Sequence, residues 1–266
     1  MRRLLTILIA CLTTGLASAQ SPPATPPAKE NFHLYLLMGQ SNMVGRDLKG
    51  IDTQTPNTRI LSLDPQNQWV VAKDPLHPLV GRIPSGVGPG MSFATEMLKT
   101  QTDTKVTIGL IPCAVGGTPL QRWVKGGDLY EQAIARAKAA SKDGIIKGML
   151  WHQGEADSGK ADTADTYGTR LAAMIADLRK DLDQPELPVV VGQLGEFLVR
   201  TPTKYTDVDT VRAAIKKLPD TVPHTAFADS NGLGHKGDKL HFSAEAQKEF
   251  GTRYARAMTG LQKQKK

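Results

Sequence analysis

The sequence contains very little cysteine. Only Cys11 and Cys113 occur among its 266 residues, and Cys11 lies in an apolar N-terminal segment. If that segment is removed, Cys113 is left without a partner and no disulfide can form within the chain. We therefore expect stability to come from a hydrophobic core, with Cys113 as a small buried side chain.

Concentrated positive charge is also missing, although the formal net charge is +7. Lys and Arg are scattered, and the densest run is the short C-terminal segment Lys263-Gln264-Lys265-Lys266. Proteins that bind nucleic acid usually carry a basic patch or stacking aromatics, and aromatic residues make up only 5% of this chain. We therefore expect no nucleic-acid partner.

No hydrophobic run is long enough to span a membrane. The longest, Leu4 to Leu16, is shorter than the roughly 20 residues that a spanning helix needs. It follows two arginines and precedes Ala17-Ser18-Ala19, which is the pattern of a cleaved secretory signal. We expect a signal peptide at 1–19, a proline-rich linker at 20–30, and a secreted or periplasmic protein without stable membrane insertion.

Five short apolar runs alternate with segments of helical periodicity. The runs, taken as strands, are Phe32 to Met38, Val106 to Ile111, Ile145 to Trp151, Pro188 to Gln193 and Thr225 to Ala228. The helical segments are Met91 to Lys99, Leu129 to Ser141, Thr166 to Leu182, Val208 to Leu218 and Ser243 to Met258. This alternation predicts an α/β fold, a three-layer α/β/α sandwich around a mostly parallel five-stranded sheet.

Ser41 follows the first predicted strand, within Gly39-Gln40-Ser41-Asn42-Met43. Ligands of open α/β sheets bind beyond the carboxyl ends of the strands, and Ser41 lies at such an end. A serine in a tight strand-to-helix turn can expose its hydroxyl and donate its own N–H to an oxyanion. It could equally cap the helix that follows, since the GxSxG motif is absent.

Three further segments are predicted at the same edge. Asp238 lies three residues before His241, so the carboxylate could hold one ring nitrogen while the other accepts a serine proton. Gly116 and its neighbouring glycine could bring a backbone N–H close to a ligand. Gln153, after the third strand, could donate its side-chain amide to the same oxyanion. Each segment alone also has an ordinary structural interpretation.

Together, Gln-Ser-Asn-Met, Gly-Gly-Thr, Trp-His-Gln-Gly-Glu and Asp-x-x-His, in this order, resemble the SGNH hydrolase superfamily. The likeness is to its branch of sialate O-acetylesterase-like domains and carbohydrate esterase family six, and covers roughly Phe32 to Tyr254. It implies a flavodoxin-like SGNH domain, placed at 31–260 with a basic tail at 261–266. It also implies a carbohydrate O-acetylesterase that works through an acetyl-serine, with no cofactor and no metal.

The same resemblance implies catalytic roles for individual residues. Ser41 would be the nucleophile, and His241 the base oriented by Asp238. The oxyanion hole would comprise the N–H groups of Ser41 and Gly116 with Gln153, which stands where the wider superfamily has an asparagine. Glu155 is a possible alternative acid for His241.

Substrate contacts are expected from Gln40, Asn42 and Trp123, the last as a ring that stacks on sugar. Acetylated xylan or a related polysaccharide is the first expected substrate, and an O-acetylated sialic acid is the second. The alternative of another class is a catalytically inactive carbohydrate-binding domain. The sequence contains no signal for oligomeric state.

Overall fold

A computed structural model describes residues 23–51, 55–78 and 83–264. The predicted signal peptide lies outside these ranges. Within them the strands are β1 (Phe32–Gly39), β2 (Ile60–Leu63), β3 (Trp69–Val71), β4 (Thr107–Pro112), β5 (Ile145–His152), β6 (Val189–Gly192) and β7 (Thr225–Ala228). The α-helices are α1 (Ser41–Val44), α2 (Gly90–Lys99), α3 (Asp128–Ala140), α4 (Ala161–Asp165), α5 (Tyr167–Asp181), α6 (Val208–Thr221) and α7 (Ala244–Lys263).

The strands form one sheet in the order β3-β2-β4-β1-β5-β6-β7. Every neighbouring pair is parallel except β2 with β3. The predicted mostly parallel α/β fold is therefore confirmed, but the predicted number of strands is wrong, because the described chain has seven. The two extra strands span four and three residues and form an antiparallel hairpin, which the predicted alternation of strands and helices does not include.

Side chains of the central strand β1 alternate between two hydrophobic cores. Leu34 and Leu36 pack in the core that is shared with α3, α5 and α6. Tyr35 and Leu37 pack in the core that is shared with α2 and α7. Successive side chains of a strand point to opposite faces, so this division gives the sheet one helical layer on each side.

The helices differ from prediction at their ends. The segment expected as one helix from Thr166 to Leu182 is preceded by the separate short helix α4, and α7 runs on to Lys263, into the predicted tail. The described part of the predicted linker contacts the sheet, since Ala24 N–H donates to the carbonyl of Trp69 (2.9 Å). None of the helices in the described ranges has the length and apolarity to cross a bilayer.

Candidate active site

The turn that carries Ser41 is held between the ends of two strands. Gly39 has φ of 126°, and a Cβ there would collide with the carbonyl of His152, so glycine is required. Gln40 N–H donates to that same carbonyl (2.8 Å), and Val115 N–H donates to the carbonyl of Gly39 (3.0 Å). The main chain thereby fixes Ser41 where β1, β4 and β5 end.

Ser41, His241 and Asp238 form a continuous chain of contacts. The Ser41 Oγ lies 3.0 Å from His241 Nε2, and His241 Nδ1 lies 2.7 Å from Asp238 Oδ2. The other carboxylate oxygen of Asp238 accepts the N–H groups of Leu240 (3.0 Å) and His241 (2.8 Å). Burial opposes the charge of Asp238, but the hydrogen bonds from His241 and Leu240 outweigh it and hold the pKa of this carboxyl well below its usual range.

Glu155 has a different set of contacts. It is buried, and its Oε1 accepts Asn42 Nδ2 at 2.6 Å and lies 3.6 Å from His152 Nε2. Burial raises the pKa of Glu155, but the neighbouring imidazole of His152 and the hydrogen bond from Asn42 more than reverse this, so its pKa is lowered. The acid in contact with the ring of His241 is therefore Asp238.

Gly116 lies beside Ser41 and against the guanidinium of Arg46. A Cβ added at Gly116 would be 3.6 Å from Ser41 Cβ but would overlap Arg46 Nη2. Within the described chain no acceptor takes the Gly116 N–H, and the Ser41 N–H is in the first turn of α1, where no intrahelical partner exists. Both N–H groups are thus free to stabilise an oxyanion.

The side-chain amide of Gln153, the third expected donor, donates to other acceptors in this structure. It is fully buried, and its Nε2 donates to Asp157 Oδ2 (2.7 Å) and the carbonyl of Thr118 (3.1 Å), with Gln40 Oε1 at 3.4 Å. An amide nitrogen has only two hydrogens to donate. The oxyanion role of Gln153 stays a prediction, while its contacts support the loop that carries Gly116.

A cavity of about 490 Å³ lies beside Ser41 and His241. Its described lining comes from the nucleophile turn, the segment between β3 and α2, the glycine turn, the segment after β5, the loop after β6 and the histidine loop. The lining residues are Gln40, Ser41, Arg46, Ile83, Gly116, Gly117, Glu155, Ala156, Gly159, Thr203, Lys204, Tyr205, Leu240 and His241. The cavity therefore opens at the carboxyl edge of the sheet, as expected.

The sequence is similar to carbohydrate esterases. Residues 31–260 match the family model described as carbohydrate esterase, sialic acid-specific acetylesterase. The chain is also 35% identical over 264 residues to a probable carbohydrate esterase of Arabidopsis thaliana, a match that covers 92% of this chain and 96% of the relative. The chain belongs to the sialic acid-specific acetylesterase family. It is a carboxylic ester hydrolase that acts on acetylated carbohydrate.

Solved structures agree with this assignment. An Arabidopsis thaliana protein aligns with a TM-score of 0.76 and 34% identity, covering 88% of this chain and 99% of that one. NanS aligns with a TM-score of 0.73 over 89% of this chain and 99% of its own, and at 17% identity it supports the fold alone. The resemblance to sialate O-acetylesterase-like SGNH hydrolases is therefore confirmed.

The three expected substrate contacts of the esterase have different surroundings. Gln40 lines the cavity, whereas Asn42 is buried behind it. Trp123 is fully buried, donates its ring N–H to Thr118 Oγ1 (3.0 Å) and packs edge-on against Trp151. Because the ring is covered by the residues of the core, neither of its faces is open to a ligand.

The cavity of the esterase also contains residues that the sequence analysis missed. Arg46 follows the nucleophile by five residues, and Thr203, Lys204 and Tyr205 belong to the loop after β6. The position of this loop after a parallel strand was the available signal, because it implies the same edge of the sheet. Nothing in the loop sequence indicates which of its side chains face the cavity.

Proposed function

We propose that the chain removes O-acetyl groups from carbohydrate by a serine mechanism, with Ser41 as nucleophile. The observation that carries the proposal is the contact chain from Ser41 Oγ through His241 to Asp238, at 3.0 and 2.7 Å. These are the distances that proton transfer from the serine to the histidine requires.

In the first half of the reaction, Ser41 Oγ attacks the acetyl carbonyl while His241 Nε2 takes the hydroxyl proton. The N–H groups of Ser41 and Gly116 stabilise the oxyanion, with Gln153 the third predicted donor. The tetrahedral intermediate collapses, and His241 returns the proton to the sugar oxygen that leaves. Water then attacks the acetyl-serine, with His241 again as base, and acetate is released.

The family indicates acetylated carbohydrate as substrate, and we propose which sugar carries the acetyl group. Acetylated xylan is the substrate expected first from the sequence. Arg46 and Lys204 favour the second, an O-acetylated sialic acid, because both cations line the cavity and neither is paired with a carboxylate among the described residues. Arg46 is held by the carbonyl of Pro84 (3.0 Å), which leaves other guanidinium N–H groups for a substrate carboxylate.

Location is proposed from the N-terminus. The basic start, apolar run and small-residue site at 1–19 support export of the protein to the periplasm or the medium.

Acetate release from acetylated xylan, acetylated chitin oligomers and O-acetylated sialic acid tests both proposals. We expect release from at least one substrate, loss of at least a thousandfold in kcat for Ser41→Ala, and covalent labelling of Ser41 by a serine-directed phosphonate. An inactive binding domain would bind sugar, release no acetate and resist labelling. Activity that survives Ser41→Ala would contradict the mechanism.

A further inference from the structure

Asn42, the residue after the nucleophile, connects the serine turn to the loop that carries His241. Its Nδ2 donates to the carbonyl of Leu240 (3.1 Å), and its Oδ1 accepts the N–H of Phe242 (3.1 Å). Leu240 and Phe242 are the two neighbours of His241. One side-chain amide therefore holds both sides of the histidine at a fixed distance from the serine.

This connection works in only one orientation of the amide. Its nitrogen must face the Leu240 carbonyl and its oxygen the Phe242 N–H, because a reversed amide would place like groups together. Glu155 Oε1 lies 2.6 Å from Asn42 Nδ2, and an ionised carboxylate can only accept. Glu155 therefore selects the orientation that the loop needs.

Glu155 destabilises the folded protein in this position. Its side chain is 3% exposed, and its Oε2 has no hydrogen-bond partner within the described residues. A buried carboxylate without full pairing lowers the free energy of unfolding, and such groups are concentrated at functional sites. Its contacts lead to Asn42 and to His152, at 3.6 Å, and not to the ring of His241.

We propose that Glu155 is a positioning residue that acts through Asn42 to hold His241 in line with Ser41. This inference rests on the proposed serine mechanism. It assigns Glu155 a role distinct from that of Asp238, which orients the imidazole ring itself. A displacement of about 1 Å between reacting groups can lower turnover on the order of a hundredfold, so the effect should be measurable.

A double-mutant cycle with Glu155→Ala and Asn42→Ala tests the proposal. We expect each single variant to lower kcat for acetate release by about 10- to 100-fold, with KM within about twofold, because the acetyl group still binds. The double variant should be no slower than the slower single variant, since both changes remove the same connection.

Glu155→Gln keeps an oxygen that can accept from Asn42, and should recover part of the activity. The rate of phosphonate labelling at Ser41 should fall in parallel with kcat.

Tyr130→Phe is the matched control for lost buried hydrogen bonding. It removes a bond between α3 and α5, to Asp181 (2.7 Å), and neither residue lines the cavity, so it should lower the melting temperature without changing kcat. If the alanine variants do not fold, the cycle is run with Glu155→Gln and Asn42→Asp, which together restore a hydrogen bond between these two side chains but not the donor to the Leu240 carbonyl. This pair should then be at least fivefold faster than independent effects predict.

The inference is overturned if the Glu155 variants retain wild-type kcat, or if the effects of Glu155 and Asn42 multiply. A kcat that falls only in proportion to the folded fraction would also overturn it. Failure of the serine mechanism looks different, because Ser41→Ala would then keep its activity and Ser41 of the wild type would resist labelling.

Discussion

At the scale of single residues, Asp238 uses its two oxygens for two tasks. One oxygen contacts the ring of His241, and the other accepts the backbone N–H groups of Leu240 and His241. The carboxylate therefore fixes the ring and the backbone of the same histidine. Lys236 Nζ, at 3.4 Å, adds a partly exposed ion pair.

Asp238→Asn should separate these tasks, because the amide can still accept the backbone N–H groups but no longer stabilises an imidazolium. We expect kcat to fall by about a thousandfold or more while KM changes little. Acetate release under saturating substrate measures this, and a loss below about tenfold would contradict the assigned role. Asp229→Asn is a control, since that carboxylate pairs with Arg253 (2.8 Å) and not with a cavity residue.

The same variant should alter how stability depends on pH. Folding lowers the pKa of Asp238, so this group stabilises the folded state above the ordinary carboxyl pKa of about 3.9, and the contribution is lost as the pH falls below it. Wild type should therefore be more stable than Asp238→Asn at pH 7, with the difference shrinking toward pH 3. Urea unfolding at both pH values measures the difference.

Residues of this site differ in how far the sequence could predict them. The contact of Asp238 with His241 spans three positions, so local spacing was enough to anticipate it. The contacts of Gln153 and Trp123 depend on Asp157, Thr118 and Trp151, which side-chain packing brings together and no spacing encodes. Trp123 was expected to stack on a sugar ring because its packing against Trp151 leaves no signal in the sequence.

At the scale of elements, α7 begins directly after the histidine loop and packs against α2 through Gly251. A Cβ at Gly251 would overlap Ser92 Oγ and the carbonyl of Pro89, so the two helices are as close as glycine allows. Gln247, one turn earlier in α7, donates to the carbonyl of Asn42 (2.7 Å). A displacement of α7 would therefore also displace the serine turn, because this hydrogen bond joins them.

Gly251→Ala and Gly260→Ala form a matched pair on this helix. Helix propensity favours alanine at both positions by roughly 1 kcal/mol. Nothing lies within 4 Å of a Cβ at Gly260, so Gly260→Ala should raise the free energy of unfolding by about 0.5–1 kcal/mol. Gly251→Ala should lower it by about 1–3 kcal/mol, because α2 and α7 must separate. Chemical denaturation measures both, and equal effects would contradict this view of the helix contact.

Strands that alternate with helices were readable from the sequence, whereas the two strands of the β2–β3 hairpin were not. Strand β1 has eight residues flanked by turn signals, whereas β2 and β3 form a hairpin of four and three residues. Their turn is built by Asp64, whose Oδ1 accepts the N–H groups of Gln66 and Gln68 (both 2.8 Å). Side-chain capping and pairing with β4, more than hydrophobic periodicity, define these strands.

At the scale of the whole molecule, two of the scattered positive charges come together at the cavity. The formal net charge of +7 gives no site by itself, but the fold brings Arg46 and Lys204 to the same cavity from segments far apart in sequence. The two cations would attract an acidic sugar over a distance that depends on ionic strength.

Salt should therefore affect acidic and neutral substrates differently. Between roughly 0.01 M and 1 M salt the screening length falls from about 30 Å to about 3 Å. We expect kcat/KM for an O-acetylated sialic acid to fall severalfold over this range, and kcat/KM for a neutral acetylated xylooligosaccharide to change little.

Arg46→Gln should lower kcat/KM for the acidic sugar and weaken its salt dependence. Lys142→Gln, which removes the same charge between α3 and β5 at the opposite edge of the sheet, should leave both nearly unchanged. If Lys142→Gln acts as strongly as Arg46→Gln, the attraction comes from net charge alone and the cavity cations do not select the substrate.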